Sequence, residues 1–158
     1  MKLSEFDFDA QQYWLRKLLE VLYMRRSTMF RFVVESARML ILGNGGGVAT
    51  TFGMLNYLDL VGVYHWVCVF MLLTFVLGTL FSTVTLILVT ATTIKEAHSA
   101  EVAMHEFVND RIERDEVLFY YDDATRRLAY ISTCMGITSV ALLLLGAIQG
   151  MFLVAIYL

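Results

Sequence analysis

Three long stretches of the chain carry no Asp, Glu, Lys or Arg, and they alternate with stretches in which charged residues are dense. The charge-free stretches are Met39–Leu58, Leu60–Ile94 and Leu128–Leu158. Because a helix needs about 20 apolar residues to cross a bilayer, each stretch is long enough for one crossing and too short for two joined by a turn. The pattern predicts an all-α integral membrane protein with three transmembrane helices, at 37–58, 66–92 and 130–156.

The segment before the first span has the spacing of an amphipathic helix. Trp14, Leu18 and Leu22 share one face, and basic residues such as Arg16 and Lys17 lie elsewhere on the helix. Two interpretations are open for the apolar face. It lies at the membrane interface, where tryptophan and basic residues meet lipid headgroups, or it packs on the protein's own cytoplasmic helices.

The segment between the second and third spans is predicted to be helical and to extend into the cytoplasm. It contains neither glycine nor proline, so the second helix is predicted to run from 66 to about 118. Aspartates that favour helix caps place the turn at 120–123 and the start of the third helix near Ala124. The chain thus divides into an interfacial segment (1–36), two spans (37–94), a cytoplasmic helical segment (95–127) and a third span (128–158).

Composition and charge support this membrane assignment and give it an orientation. The chain is 58% hydrophobic and has no proline, whereas soluble domains are roughly 45–50% apolar. All 12 Lys and Arg residues lie within 2–38 or within 95–127. The positive-inside rule therefore places the N-terminus and 95–127 in the cytoplasm and the C-terminus outside.

Glycines in the first and third spans indicate close helix packing. Gly43 and Gly47 form a small-xxx-small pair around Asn44, and Gly146 and Gly150 form a second pair. An asparagine facing lipid would be unfavourable, so Asn44 is predicted to face protein. A hinge in the Gly43–Gly47 run is the alternative interpretation, because glycine weakens a helix.

Small and hydroxylated residues form a stripe along the second span. Its members are Thr74, Gly78, Ser82 and Thr85, at spacings of four, four and three. This stripe is either a helix interface or the lining of a pore in an oligomer. The spans lack the ionisable groups that proton relays and ion-coupled transporters normally use, which disfavours secondary transport.

The cytoplasmic segment 95–127 carries nine acidic and five basic residues, a net charge of −4. Its acids form either a solvated surface or a docking surface for a cytoplasmic protein, with Glu106, Asp110 and Glu113 as the candidate contacts. This charge disfavours direct binding of nucleic acid.

Metal binding and catalysis are not expected. His98, Glu101 and His105 share a helix face and are of residue types that suit zinc or iron. They do not form a known metal motif, however, and no pair of carboxylates is placed for acid–base work. We therefore expect no metal, no cofactor and no enzymatic activity.

The layout resembles small multi-pass bacterial membrane proteins that carry Asn-Gly-Gly near the start of the first span. The matching residues are Asn44-Gly45-Gly46, preceded by Glu35 and Arg38, and Arg126-Arg127-Leu128 at the entry to the third span. Some members of this group are accessory or effector proteins of antiviral defence systems. The resemblance implies a bacterial inner (cytoplasmic) membrane location and a defence context.

Two functions from different classes are expected from these features. The first is a homo-oligomeric membrane protein that forms a pore or perturbs the membrane as an effector in bacterial defence; its partners are other copies of itself and the lipid bilayer. The alternative is a non-enzymatic membrane sensor, anchor or scaffold that binds a cytoplasmic protein through residues 95–127.

Overall fold

The computed structural model describes residues 2–57, 62–119 and 123–157. These residues form a short 3₁₀ turn and four helices, with no strand among them, so the all-helical prediction is confirmed. The 3₁₀ turn is Leu3–Glu5, and the helices are α1 (Phe8–Tyr57), α2 (Val63–Val108), α3 (Arg114–Phe119) and α4 (Asp123–Tyr157). Residues 59–61 of the link predicted between the first two spans, and residues 120–122 of the turn predicted at 120–123, lie outside the described residues.

Two helices are long and apolar enough to cross a membrane. They comprise Tyr64–Val108 of α2 and Asp123–Ile156 of α4, and the most apolar 18-residue window of each has a mean hydropathy of 2.3. Helix α4 begins one residue before Ala124, where the sequence predicted its start.

Helix α1 runs without interruption through the glycine run. Its 50 residues join the predicted amphipathic segment and the predicted first span into one helix. Polar side chains bond back to the backbone around the glycines, since Thr50 and Thr51 donate to the carbonyl oxygens of Gly46 and Gly47 at 2.9 and 2.7 Å. The chain has no proline, so no ring removes a backbone donor along this length.

Helix α2 ends ten residues before its predicted end. The prediction that it continues to about 118 is wrong, because the helix stops at Val108. Asp110 adopts a left-handed φ of 57°. Its backbone amide donates to the carbonyl oxygen of Phe107 at 3.0 Å, and the backbone amide of Arg111 donates to the carbonyl oxygen of Glu106 at 2.9 Å. These two bonds form a Schellman motif, which terminates a helix and usually has glycine or asparagine in the left-handed position.

The chain forms two compact units. The first unit comprises Met1–Val33 and Leu88–Tyr130, and the second comprises Val34–Ile87 and Ile131–Leu158. The boundaries between these two units fall at 33–34, 87–88 and 130–131. The sequence predicts divisions between its four segments at 36–37, 94–95 and 127–128.

The first unit has its own hydrophobic core, to which the amphipathic face of α1 contributes. Leu18 is 3% exposed and packs in a cluster that also contains Phe107 of α2 and Val117 of α3. The 3₁₀ turn adds Leu3. The Arg114 guanidinium lies 4.6 Å from the centre of the Trp14 ring. Of the two interpretations of the amphipathic segment, these contacts agree with packing on the protein's own helices.

The second unit consists of the remaining parts of α1, α2 and α4. Large apolar side chains cover much of its outer surface, including Phe70, Leu80 and Phe152, each more than half exposed. Its interior combines apolar side chains such as Phe75 and Leu153 with buried polar residues such as Asn44 and Ser139. The exposure of so many large apolar side chains is unusual for a soluble domain. Both cysteines lie in this unit as free thiols, with Cys68 buried and Cys134 exposed.

Candidate functional site

The hydroxylated stripe of α2 faces the interior of the second unit. All four of its predicted members are buried: Thr74, Gly78, Ser82 and Thr85. The three hydroxyls each donate to the carbonyl four residues earlier, at 2.8 Å in every case. This back-bonding satisfies each hydroxyl hydrogen within its own helix, so the stripe can be buried at little cost.

The centre of the stripe belongs to a hydrogen-bonded junction of three helices. Ser82 of α2 and Ser139 of α4 are joined hydroxyl to hydroxyl at 2.5 Å, and Ser139 is also 3.0 Å from the carbonyl oxygen of Gly78. Asn44 of α1 donates its amide hydrogens to Ser139 Oγ at 3.3 Å and to the carbonyl of Leu40 at 2.9 Å. We call Asn44, Gly78, Ser82 and Ser139 the polar junction.

One acceptor of the polar junction has no hydrogen-bond partner among the described residues. Asn44 is fully buried, yet its Oδ1 accepts no hydrogen bond. This oxygen lies against Gly78, in the space that a Cβ would occupy at that position. The prediction that Asn44 faces protein thus agrees with its position, and the stripe needs glycine at 78 to admit the amide.

A single aromatic ring packs between the two predicted glycine pairs. Phe75 of α2 contacts Gly47 of α1 on one side and Gly146 of α4 on the other. A Cβ at Gly47 would overlap the Phe75 ring, and one at Gly146 would lie 2.6 Å from it, which no ordinary packing permits. Glycine is therefore required on both helices because the ring fills the space between them.

The other members of the glycine pairs also lie close to side chains of neighbouring helices. A Cβ at Gly43 would lie 3.3 Å from the Leu143 side chain, and one at Gly150 would lie 3.4 Å from the sulfur of Met71. Gly45 and Gly46 have open space where a Cβ would be. The glycines of the first span therefore fall into a packed group and an unpacked group.

The predicted docking acids do not form a shared free surface. Asp110 accepts a hydrogen bond from the backbone amide of Ser4 at 2.8 Å, so it holds the N-terminal turn. Glu106 is bonded by Arg111 at 3.1 Å, and Glu113 is exposed beside α3. Docking through Asp110 was predicted from its charge alone, and the structure instead uses this carboxylate within the chain.

Hydrogen bonding also perturbs the titration of this carboxylate. The Ser4 amide is the largest influence on Asp110 and holds the pKa of its carboxyl below the ordinary value. A donor to a carboxylate favours its charged form, which lowers the pKa. Asp110 is thus a structural anion at the end of α2.

The three residues considered for metal binding lie on an exposed face of α2. His98, Glu101 and His105 are all exposed, and the side-chain amide of Asn109 lies 3.1 Å from Nδ1 of His105. Within the described ranges, no group of three or more His, Cys, Asp or Glu side chains is close enough to hold a metal ion.

Sequence reasoning missed two residues that organise the second unit. Ser139 joins all three helices, and Phe75 separates the glycines. Ser132 and Ser139 are seven residues apart and both buried, a spacing that places them on one helix face. That spacing could have identified an inward polar face of α4, but it could not have indicated which residue of α2 lies opposite.

Comparisons with known proteins add no relative. No protein-family model matches the chain, and neither the curated proteins nor the solved structures contain a match. The fold and the polar junction define the chain as an all-helical protein with two helices that could span a membrane. Its resemblance to small multi-pass bacterial membrane proteins rests on its sequence alone.

Proposed function

We propose that this chain is a non-enzymatic, three-span scaffold of the bacterial cytoplasmic membrane that presents a folded helical unit to a cytoplasmic protein. One observation carries the proposal. The most apolar windows of α2 and α4 are only 28% and 17% buried within the chain. The core helix of a soluble protein is mostly buried, so this apolar surface requires a bilayer or equivalent protein contacts.

The remaining span is the predicted first span, which is the part of α1 from 37 to Tyr57. Its lower apolar content comes from the glycines and from Asn44, whose amide is turned inward to Ser139. Gly47 and Asn44 contact the middle of the predicted second span, at Phe75 and Gly78. These contacts support placing this part of α1 at the same depth as α2.

The orientation follows from the basic residues. None of the 12 Lys and Arg residues lies in the 59–65 link or beyond 127. The positive-inside rule then favours a cytoplasmic N-terminus and 95–127 segment, with the C-terminus outside. In this arrangement residues 1–36 and 95–127 lie on the cytoplasmic side.

A scaffold accounts for the geometry better than a pore lined by the α2 stripe. Ser82 has no exposed surface and is bonded to α4, so this face of α2 is occupied before any second copy is added. The first unit, by contrast, has a core of its own and carries exposed acids such as Glu101 and Glu113. Those acids are the proposed contact with a basic surface on the partner.

Membrane insertion and orientation are tested on the full chain in inverted membrane vesicles. We expect the protein to resist carbonate extraction. In a Cys134→Ala background, Glu113→Cys should react with an impermeant maleimide on the cytoplasmic side. A cysteine at Gly62, beyond the opposite end of the spans, should react only after the vesicles are opened. Extraction by carbonate, or the reverse labelling pattern, contradicts the proposal.

The scaffold role is tested by photo-crosslinking in cells. A crosslinker at Glu113 should capture a discrete protein, and Glu101→Lys/Glu113→Lys should abolish capture. Glu20→Lys, which changes an exposed acid on α1, is the matched control. If Glu101→Lys/Glu113→Lys leaves capture unchanged, the docking surface is wrong. If wild-type proteoliposomes leak ions, the pore function replaces the scaffold.

A further inference from the structure

A groove runs between α2 and α4 within the second unit. Its volume is about 350 Å³, within the roughly 300–1,000 Å³ typical of ligand sites. The lining residues are Val67, Phe70, Ile148, Gln149 and Phe152. Ile148 is 58% exposed, and the rings of Phe70 and Phe152 are each 60% exposed. In the proposed membrane arrangement this groove therefore faces lipid, near the outer ends of the predicted second and third spans.

One residue of this lining, Gln149, is polar. Its Oε1 is buried and accepts no hydrogen bond from the described residues. Gln149 lies seven residues before the predicted end of the third span, which is about 10 Å at the 1.5 Å rise of a helix. At this depth the bilayer supplies no water, and an amide oxygen without a donor is unfavourable. The groove thus contains an acceptor that needs a donor from outside the chain.

A second copy of the chain supplies that donor, whereas lipid does not. Acyl chains and ester groups contain no N–H or O–H group. Every copy takes the same orientation under the positive-inside rule, so a copy related by a two-fold axis brings its own Gln149 to the same depth. A carboxamide has two N–H donors and an acceptor oxygen. Two facing Gln149 amides can therefore form a reciprocal pair of N–H···O hydrogen bonds.

The pair forms once each amide turns toward the groove. In the single chain Oε1 faces inward and has no exposed surface. The last torsion of a glutamine side chain is broad and roughly two-fold, so the oxygen can point into the groove without a change in the backbone of α4. This rotation exchanges an unpaired buried acceptor for a paired one.

We propose that the chain forms a two-fold symmetric dimer through this groove, with the two Gln149 amides bonded to each other across the axis. The exposed rings of Phe70 and Phe152 pack around the amide pair and keep lipid from it. Polar side chains, glutamine among them, form such hydrogen bonds between membrane helices. The inference rests on the proposed membrane insertion and orientation, and a dimer of the proposed scaffold presents two copies of the first unit.

The test measures association of the full chain in lipid vesicles. A fluorophore is attached at Glu20→Cys, an exposed position on α1, in a Cys134→Ala background. The protein is diluted with lipid, and stepwise photobleaching counts the copies in each spot. We expect an equilibrium between monomer and dimer. Gln149→Met keeps an unbranched side chain without the amide and should raise the dissociation constant about eightfold, the effect of two average hydrogen bonds between membrane helices.

The chain offers a matched control for each change at the groove. Asn56 is an exposed amide on α1, and Asn56→Met should leave the dissociation constant unchanged. Phe152→Ala removes a ring of the groove and should raise the dissociation constant. Phe52→Ala should not, although Phe52 is 59% exposed, nearly as much as Phe152. Protection of Cys68 from a thiol reagent checks that each variant is folded.

Disulfide formation in membranes locates the contact without removing the amide. In a Cys134→Ala background, Ile148→Cys should give a disulfide-linked dimer on oxidation, because Ile148 lines the groove beside Gln149. Phe52→Cys should give none. A disulfide at position 52, or none at position 148, overturns the proposal.

The dilution series decides the remaining outcomes. A single copy at every dilution overturns the proposal, since the groove then holds lipid chains. An unchanged dissociation constant in Gln149→Met or Phe152→Ala, or equal effects in the two control variants, also overturns it. If the protein is extracted by carbonate, the proposed function fails; if it is inserted and remains a single copy, only this inference fails.

Discussion

Replacing Gly146 by alanine should destabilise the protein, while the same replacement at Gly46 should stabilise it. A methyl group at 146 would lie 2.6 Å from the Phe75 ring, and that ring cannot retreat because Gly47 contacts its other side. At Gly46 nothing lies within 4 Å of the new Cβ. Both variants thus reduce the conformational freedom of the unfolded backbone in the same way. Only Gly146→Ala also introduces a steric overlap with the Phe75 ring.

The expected sizes follow from this difference. Alanine in place of glycine in a helix gains about 0.4–1 kcal/mol by restricting the unfolded chain. Overpacking a filled interior costs about 1–3 kcal/mol. Gly46→Ala should therefore gain the first amount. Gly146→Ala should lie about 1–3 kcal/mol below it, since the backbone contribution cancels in the comparison.

Cys68 provides the assay. It has no exposed surface, so its reaction with a thiol reagent reports opening of the second unit. In a Cys134→Ala background, the rate of labelling is followed as sodium dodecyl sulfate is added to detergent-solubilised protein. Gly146→Ala should open at a lower fraction of dodecyl sulfate than wild type, and Gly46→Ala at an equal or higher fraction.

Equal midpoints for the two alanine variants would refute the reasoning. A second variant keeps the test decisive if Gly146→Ala fails to fold. Phe75→Leu removes much of the ring that meets the new methyl group, so Gly146→Ala in the Phe75→Leu background should cost less than in wild type. If the two changes are additive, the ring does not fill the space between the glycines.

Three further outcomes are expected. Ser82→Ala removes the hydrogen bond from α2 to Ser139 of α4. It should lower the stability of the second unit, measured by labelling of Cys68, by about 0.6 kcal/mol, which is the average for hydrogen bonds between membrane helices. An unchanged stability would show that this bond contributes nothing. Because the pKa of Asp110 is lowered in the folded state, its contribution should be present above the ordinary aspartate pKa and lost as the pH falls through the folded value. Hydrogen exchange at the Ser4 amide should accordingly increase relative to a neighbouring amide on acidification, and Asp110→Asn should remove that dependence. Cys134 should react with maleimide in the folded protein, and equal reaction at Cys68 would contradict its burial.

The predictable parts of this fold are those that depend on local periodicity. Charge-free windows located α2 and α4, and the absence of proline permitted α1 to continue through its glycines. The stripe on α2 was found by spacing because a helix places residues three and four apart on one face. Each of these features depends on residues close together in the chain.

The missed features depend on residues that are distant in sequence. Ser4 and Asp110 are 106 positions apart, and no periodic signal links them. The end of α2 did leave a local signal, because Asn109-Asp110 is a pair that tolerates turns and left-handed backbone. The helical spacing of apolar residues on both sides obscured it. Phe75 was overlooked because an apolar residue in an apolar window carries no distinguishing pattern.

The position of Phe75 also sets an order for biosynthesis. When α1 and α2 have emerged and α4 has not, the ring already has Gly47 against one side, and Ser82 already donates to its own helix. In the proposed membrane arrangement, α1 and α2 can therefore insert into the bilayer by themselves, with one side of the ring open to lipid. Helix α4 then packs Gly146 against the open side of the Phe75 ring. A gene divided between codons 120 and 122 should consequently yield two polypeptides that recombine in the membrane.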